Sequence, residues 1–363
     1  MKILITTPMM PPTIGGPATY VALLQKELPL RDVDIEVVSF DTLAHLPKGL
    51  KHLVFFFKVF KVAKKVDVVY AQDPLSTGLP ACLASWFRRK PFLLKVVGDY
   101  AWEQGVSRFG VTDSLDAFVS KRTHSLPVAI FKYLERGVAR SARQIIVPSQ
   151  YLKNIVETWG VSREKITVIL NAFDIPNIET EELSRSGTTI FSAGRLVSWK
   201  GFDILIRAIP FLPDEVTVSI AGEGPDKKRL LNIVEEMGLQ DRVNFLGRLE
   251  HKVLLQKLAE ARLFVLASSY EGLSHQLLEA LALGTPVVAT NIGGNPEVIT
   301  HRRDGLLVSY GDEKLLAEAI REMLTNDEFV KMCVENGQKK IELFSTDIMI
   351  ESLVKVLNTY ARS

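Results

Sequence analysis

Two carboxylates, Glu271 and Glu279, stand with seven residues between them in Ser269-Tyr-Glu-Gly-Leu-Ser-His-Gln-Leu-Leu-Glu-Ala-Leu-Ala-Leu-Gly-Thr-Pro-Val-Val-Ala-Thr290. The apolar run Ala261–Ala267 predicts a strand, and Ser268–Leu273 the loop leaving its C-terminal end. Ser274 suits the N-cap of a helix that Leu277, Leu278, Leu281 and Leu283 pack inward, and Gly284 stops it. Free N–H groups at the helix start, helped by the helix dipole, favour an anion near Ser274–Gln276. A sugar diphosphate fits such a place, with a carboxylate on either side for hydroxyl groups. Taken alone, such a pair is more often one loop charge and one solvated helical residue.

Cations stand upstream. Gly194-Arg195-Leu-Val-Ser-Trp-Lys200-Gly201 leaves a predicted strand at Thr188–Ser192 and enters a helix at Gly201 or Phe202. Arg195 offers a planar fork of donors and Lys200 a compact charge. A departing diphosphate gains negative charge as a glycosidic bond breaks, and fixed cations stabilise that transition state. Gly15-Gly16-Pro17 lies between the first strand and first helix, where small residues let backbone approach a ligand and proline suits the first helical turn. Gly222-Glu-Gly-Pro225 is a further tight turn, by itself as readily structural as functional.

Glu-Gly-Leu, Leu-Leu-Glu-Ala, Gly-Thr-Pro-Val-Val and Gly293-Gly294-Asn-Pro-Glu297, with the basic motif and glycine loop ahead of them, resemble the signature of retaining, nucleotide-sugar-dependent glycosyltransferases of the GT-B fold. The resemblance runs over nearly the whole chain. It implies that Arg195 and Lys200 meet the diphosphate, that Glu279 accepts from ribose hydroxyls and that Glu271 contacts the transferred sugar. Backbone N–H groups around Gly272, Leu273 and Ser274 would take phosphate oxygens, with Gly15, Gly16 and Gly194 close to the donor. Ser274 and His275 stand where the family often has glycine or proline, and the backbone of 248–251 where it reads the base. The family's histidine after the fourth strand is replaced by Gly98, so no catalytic histidine is carried over. Asp99 beside it is the candidate for that work, Asp73 the second, and loop capping the structural alternative for either. The resemblance also implies a donor that needs no bound metal and no cofactor.

The elements that must position these groups alternate. Strands are predicted at Lys2–Thr6, Ile35–Phe40, Val66–Ala71, Phe92–Val97 and Gln144–Val147, with helices at about 17–28, 50–65, 76–87, 127–141 and 150–159. Gly98–Ser125 breaks the rhythm and reads as a long polar and aromatic loop. Residues 171–187 read as a linker. Thr188–Ser192, Val216–Ala221, Val243–Leu246, Leu263–Leu266, Pro286–Ala289 and Gly305–Val308 repeat the pattern. The fold class is therefore α/β, two Rossmann-like domains at 1–170 and 188–345; the resemblance implies that the second binds the donor and the first mainly the acceptor. The resemblance adds that they face each other across a cleft and that a last helix, about 346–363, crosses back to the first.

The 363 residues carry a net charge of +2, and that figure conceals an asymmetry. Residues 1–170 hold 23 Lys and Arg against 14 Asp and Glu, a charge of +9, and the remainder carries −7. A basic half suggests an anionic partner. Lys48–Lys65 interleaves Phe55, Phe56, Phe57 and Phe60 with lysines, and Lys121–Arg143 adds more basic residues. Either this half rests on an anionic membrane surface, or the first segment is a sheet-covering helix with a solvated lysine face. The second is the commoner arrangement. No apolar run is long enough to span a bilayer, no signal peptide pattern is present, and Cys82 and Cys333 fall in different domains, so a cytoplasmic protein without a disulfide framework is expected. Nothing calls for a nucleic-acid partner. The expectation is sugar transfer to a hydroxyl of a glycan or lipid-linked glycan in envelope or exopolysaccharide synthesis. The alternatives are a sugar-nucleotide epimerase of the same fold and an idle sugar-nucleotide binder.

Overall fold

The computed structural model describes residues 1–11, 13, 15–172 and 187–361, so the predicted linker lies almost wholly outside the described residues. The chain forms two compact units, Met1–Asn171 with Thr346–Ser363, and Ala172–Ser345.

In the first unit β1 (Lys2–Thr7), β2 (Asp34–Ser39), β3 (Val68–Ala71), β4 (Phe92–Lys95), β5 (Gln144–Val147) and β6 (Ile166–Val168) form one parallel sheet in the order β2-β1-β3-β4-β5-β6. The β3, β4 and β5 residues are all buried, as a parallel strand covered on both faces requires. β6 was not anticipated: three residues at a sheet edge are too few to establish a periodicity. The last helix, Thr346–Ala361, belongs to this unit, where the Tyr360 hydroxyl donates to Gln144 Oε1 at 2.7 Å.

The segment 98–125 corrects the expectation of a loop. It contains helices Tyr100–Arg108 and Leu115–Ser120. Asp99 caps the first by accepting from Trp102 N–H at 2.7 Å. The buried Glu135 carboxylate takes the Tyr100 and Ala101 N–H groups at 2.8 and 3.0 Å. A carboxylate supplied from a distant helix satisfies orphan donors that local sequence leaves open, so short-range patterning misses the element.

In the second unit β7 (Thr189–Ala193), β8 (Thr217–Ala221), β9 (Val243–Gly247), β10 (Leu263–Leu266), β11 (Val287–Thr290) and β12 (Leu306–Val308) form a parallel sheet in the order β12-β11-β10-β7-β8-β9. Its core joins Ile190, Val218, Ile220, Val265 and Val288 to Leu316, Ile320 and Met323 of the helix Glu313–Thr325. In both sheets the chain builds outward on one side of the first strand and then returns to its other side. The switch lies between β1 and β3 in one sheet and between β7 and β10 in the other. Open parallel sheets bind ligands beyond the strand C-termini at such a switch.

Candidate active site

The loops leaving β7 and β10 meet at the second switch. Gly194–Lys200 follows β7, and Ser268–Ser274 follows β10. Lys200 Nζ stands 2.6 Å from Glu271 Oε1, and the Ser268 hydroxyl donates to the same oxygen at 2.7 Å. Glu271 is 7% exposed. The loops are also tied by backbone, Ser269 N–H donating to Trp199 O at 2.8 Å.

Glycines permit this closeness. Gly201 has φ +65°, and a Cβ there would collide with the Ala267 carbonyl, so any side chain would drive the basic loop away from the β10 loop. Gly293, at φ +53°, lies against the Glu271 carbonyl, and its neighbour Gly294 donates its N–H to that oxygen at 2.9 Å. The Gly293-Gly294 pair therefore serves as the backing of the Glu271 loop.

The helix His275–Ala282 starts where expected, with Ser274 Oγ accepting from Leu277 N–H at 3.4 Å. Gly272, Leu273 and Ser274 are buried in this turn, and Glu279, 7% exposed, lies in the second turn of the helix. Its Oε1 is 2.9 Å from Nε2 of His251, the first residue of the helix after β9. That contact raises the His251 imidazole above its ordinary pKa, against the opposing effect of burial. Sequence reasoning placed only the backbone of 248–251 near this site and missed the His251 side chain, as it missed Ser268. The available signal for Ser268 was its place three residues before Glu271 at the strand end. Arg195 is exposed, and its guanidinium has no hydrogen-bond partner among the described residues. Gly222 lies against the Gly194 carbonyl, and Leu196 N–H donates to Glu223 O at 3.0 Å, so Gly222-Glu-Gly-Pro225 braces the basic loop.

The second unit thus gathers Gly194, Arg195, Lys200, Glu271, Gly272, Leu273, Ser274 and Glu279 on the loops and helix beyond β7 and β10. The remaining candidates belong to the first unit. Gly15 precedes the helix Gly16–Glu27, and a Cβ on it would stand 2.8 Å from the Met9 sulfur, whereas Gly16 has open space. Asp99 is 1% exposed and is the helix cap described above; burial pushes its carboxyl upward. Of the two roles weighed for it, capping is the one its contacts display. Asp73 also caps a loop, accepting from the Leu75 and Ser76 N–H groups at 2.8 and 2.6 Å.

Residues 175–340 match the family model of group 1 glycosyl transferases, and residues 14–176 that of glycosyltransferase family 4. A Campylobacter jejuni N-acetylgalactosamine-N,N'-diacetylbacillosaminyl-diphospho-undecaprenol 4-alpha-N-acetylgalactosaminyltransferase is 29% identical over 210 residues, 57% of this chain and 57% of that protein. The chain thus spans little more than half of that relative's length. The Staphylococcus aureus capsular polysaccharide biosynthesis glycosyltransferase CapM is 25% identical over 376 residues, 92% of this chain and 91% of CapM. The structure of Anabaena HepE in complex with UDP-glucose has the same fold, with a TM-score of 0.79 at 22% identity over 99% of this chain and all of that one. With its two open parallel sheets, its basic and acidic loops at one switch point, and family models over both halves, the chain belongs to the group 1 and family 4 glycosyltransferases of the GT-B type.

Proposed function

We propose that the protein moves a hexose-type sugar from a nucleoside diphosphate sugar to a hydroxyl of a glycan or lipid-linked glycan, with retention at the anomeric carbon. The observation that carries this reading is the Lys200–Glu271 pair at the β7/β10 switch. On donor binding, Lys200 and Arg195 turn to the diphosphate oxygens and stabilise the charge that develops as the bond to the sugar breaks. Glu271, freed from Lys200, accepts from sugar hydroxyls, and Ser268 keeps its carboxylate in place. Glu279 accepts from the ribose hydroxyls, with His251 holding its other side. The N–H groups of the turn 272–276 take phosphate oxygens. No side chain is assigned as a nucleophile; the leaving diphosphate takes the acceptor proton on the same face of the sugar. Arg195 and Lys200 do the cationic work, so the reading requires no metal or cofactor.

The Campylobacter and Staphylococcus relatives, named for a diphospho-undecaprenol-linked glycan and for capsular polysaccharide, support an envelope-glycan acceptor. The HepE complex supports a uridine diphosphate donor. A cytoplasmic enzyme bound peripherally to a membrane suits such an acceptor, and among the described residues no helix is long and apolar enough to cross one. The helix Lys48–Ala63 buries Phe55, Val59 and Ala63 and leaves Leu53 and Phe57 exposed beside Lys58 and Lys61. Trp86 and Phe87 of the adjoining helix Gly78–Arg88 are 72% and 60% exposed. Aromatic side chains among lysines suit the interface of an anionic bilayer.

The test is incubation with UDP- and GDP-sugars, with and without glycan acceptors. Release of nucleoside diphosphate together with an extended acceptor is expected. A new sugar nucleotide without transfer, or binding without release, overturns the proposal.

A further inference from the structure

A second basic feature of the first unit has no part in the donor chemistry. Beside the helix Leu126–Ser141 lies a cavity of about 400 Å³ whose lining includes Lys121, Arg122, His124, Lys132, Arg136 and Arg140 and no carboxylate. Some of these charges are engaged. Lys121 pairs with Asp113 at 2.9 Å, and Arg140 Nε donates to Trp159 O at 2.8 Å. Lys132 Nζ donates to the carbonyls of Phe118 and Lys121 at 2.9 and 3.0 Å and meets His124 Nε2 at 2.8 Å.

Arg136 is different. Its Nε and Nη2 are buried and have no hydrogen-bond partner among the described residues. Asp99 and Glu135 attract it, but Asp99 is taken by the Trp102 N–H and Glu135 by those of Tyr100 and Ala101. Burial pushes both carboxyls upward, and the two groups repel each other, so they neutralise Arg136 poorly. Burial first and the Arg136 charge second pull the Lys132 amine down to about 8, as expected where cations are crowded together. An oxyanion in the cavity would answer this surplus positive charge, the exposed Arg122 guanidinium donating to it and the Arg136 and Lys132 charges attracting it.

An apolar stripe adjoins these cations. Leu126, Ile130 and Tyr133 are 75%, 48% and 77% exposed and recur on one face of the helix. Lys132, Arg136 and Arg140 recur at four-residue spacing on the next face. The stripe runs roughly 10 Å along the axis. Large exposed apolar residues beside a basic cavity suit an amphiphile better than a free ion.

We propose that this cavity binds the phosphate or diphosphate group of an apolar-chain carrier, the chain lying along Leu126, Ile130 and Tyr133. If the transfer reaction stands as proposed, that amphiphile carries the glycan acceptor; only this assignment rests on the transfer reading, and binding alone does not.

The probe is farnesyl diphosphate, titrated calorimetrically into the full-length protein with saturating UDP present, so that the donor site is blocked. Inorganic pyrophosphate and farnesol are titrated alongside. Farnesyl diphosphate is expected to bind at least ~10-fold more tightly than either, because the charged group and the apolar chain each contribute. Arg136→Gln should weaken it by ~10-fold or more. Arg136 sits against buried carboxylates, so a second variant, Arg122→Gln with Leu126→Ser, changes surface positions only and should also weaken binding. Undetectable binding, binding indifferent to both variants, or pyrophosphate binding as tightly as farnesyl diphosphate overturns the proposal. UDP titrated separately into UDP-free wild type and variants reports on the donor site, so failure here is distinguishable from failure of the donor assignment.

Discussion

Lys200 Nζ lies 2.6 Å from Glu271 Oε1 although the two are 71 positions apart in the chain. The pair is largely covered, with side-chain exposures of 16% and 9%. A covered ion pair contributes little net stability, whereas removing one partner leaves an uncompensated charge. Its place at the strand ends is therefore better explained by a task than by stability, and the two kinds of cost are separable.

Lys200→Met should lower both stability and turnover. Adding Glu271→Gln should recover thermal stability, since no buried charge is then left alone, and should not recover turnover. Loss of a cation from a developing diphosphate raises the barrier by about 2–4 kcal/mol. Arg195→Ala, at an exposed position, should show the kinetic loss with an unchanged melting temperature. Near-normal turnover in both single variants would remove the diphosphate assignment.

Glu279→Gln keeps the shape of the side chain proposed to accept from the ribose hydroxyls but not its charge. Affinity for a nucleoside diphosphate should fall by about 1.5–3 kcal/mol by calorimetry. The same variant should return the His251 imidazole toward its ordinary pKa, because the Glu279 contact is what raises it. In the wild type the pair's contribution to stability is complete below pH ~6.5 and is lost as pH rises through the raised value. Carbon or nitrogen shifts of the ring across pH 5 to 9 test both statements; a His251 titration unmoved by Glu279→Gln contradicts them.

Gly293→Ala should damage the site without touching a polar group. A Cβ there meets the Glu271 carbonyl, and the φ of +53° is strained for alanine. A loss of about 1–3 kcal/mol in stability is expected, with weaker donor binding as the Glu271 loop shifts. Unchanged denaturation midpoint and donor affinity would show that the glycine pair does not brace that loop.

Lys95, at the C-terminal end of β4, is 3% exposed, and burial brings its amine down to about 7. Its polar contact is Asn171 Oδ1 at 3.2 Å, and the ammonium lies 3.4 Å from the Tyr20 ring centroid. The unfolded chain holds this proton up to pH ~10.4, so stability should rise with pH between about 7 and 10 and be lowest below 7. Lys95→Met should raise the melting temperature at pH 6 by more than at pH 9. An equal effect at the two pH values contradicts a depressed lysine.

Changing Lys58, Lys61, Lys64 and Lys65 to Gln, or Trp86 and Phe87 to Ser, should release the protein from vesicles rich in acidic lipid without altering donor hydrolysis. Wild-type binding should weaken with salt, since the Debye length falls from about 10 Å at 0.1 M to about 3 Å at 1 M. Indifference of the wild type to acidic vesicles would assign the lysines to a solvated helix face.

Much of this molecule was legible in the chain because it is local. Apolar runs such as Val68–Ala71 and Leu263–Leu266, separated by helical periods, specify βα alternation without knowledge of what lies opposite. Ser274 and Gly284 bound their helix by backbone chemistry within a few residues, and Arg195, Lys200, Glu271 and Glu279 were singled out by the motifs around them, which resemble those of a known family. What pairs with what is not local. Lys200 meets Glu271 because β7 lies beside β10, and His251 meets Glu279 because the helices after β9 and β10 converge. Strand order decides both, and no window of sequence contains it. The same holds for Asp99, whose carboxylate caps a helix that Glu135, from another element, makes possible. It holds too for Arg136, whose buried guanidinium is apparent only once Leu126–Ser141 is packed. Local motifs chose the candidates, and tertiary packing decided their partners, because contact energies depend on distances that only the assembled sheets define.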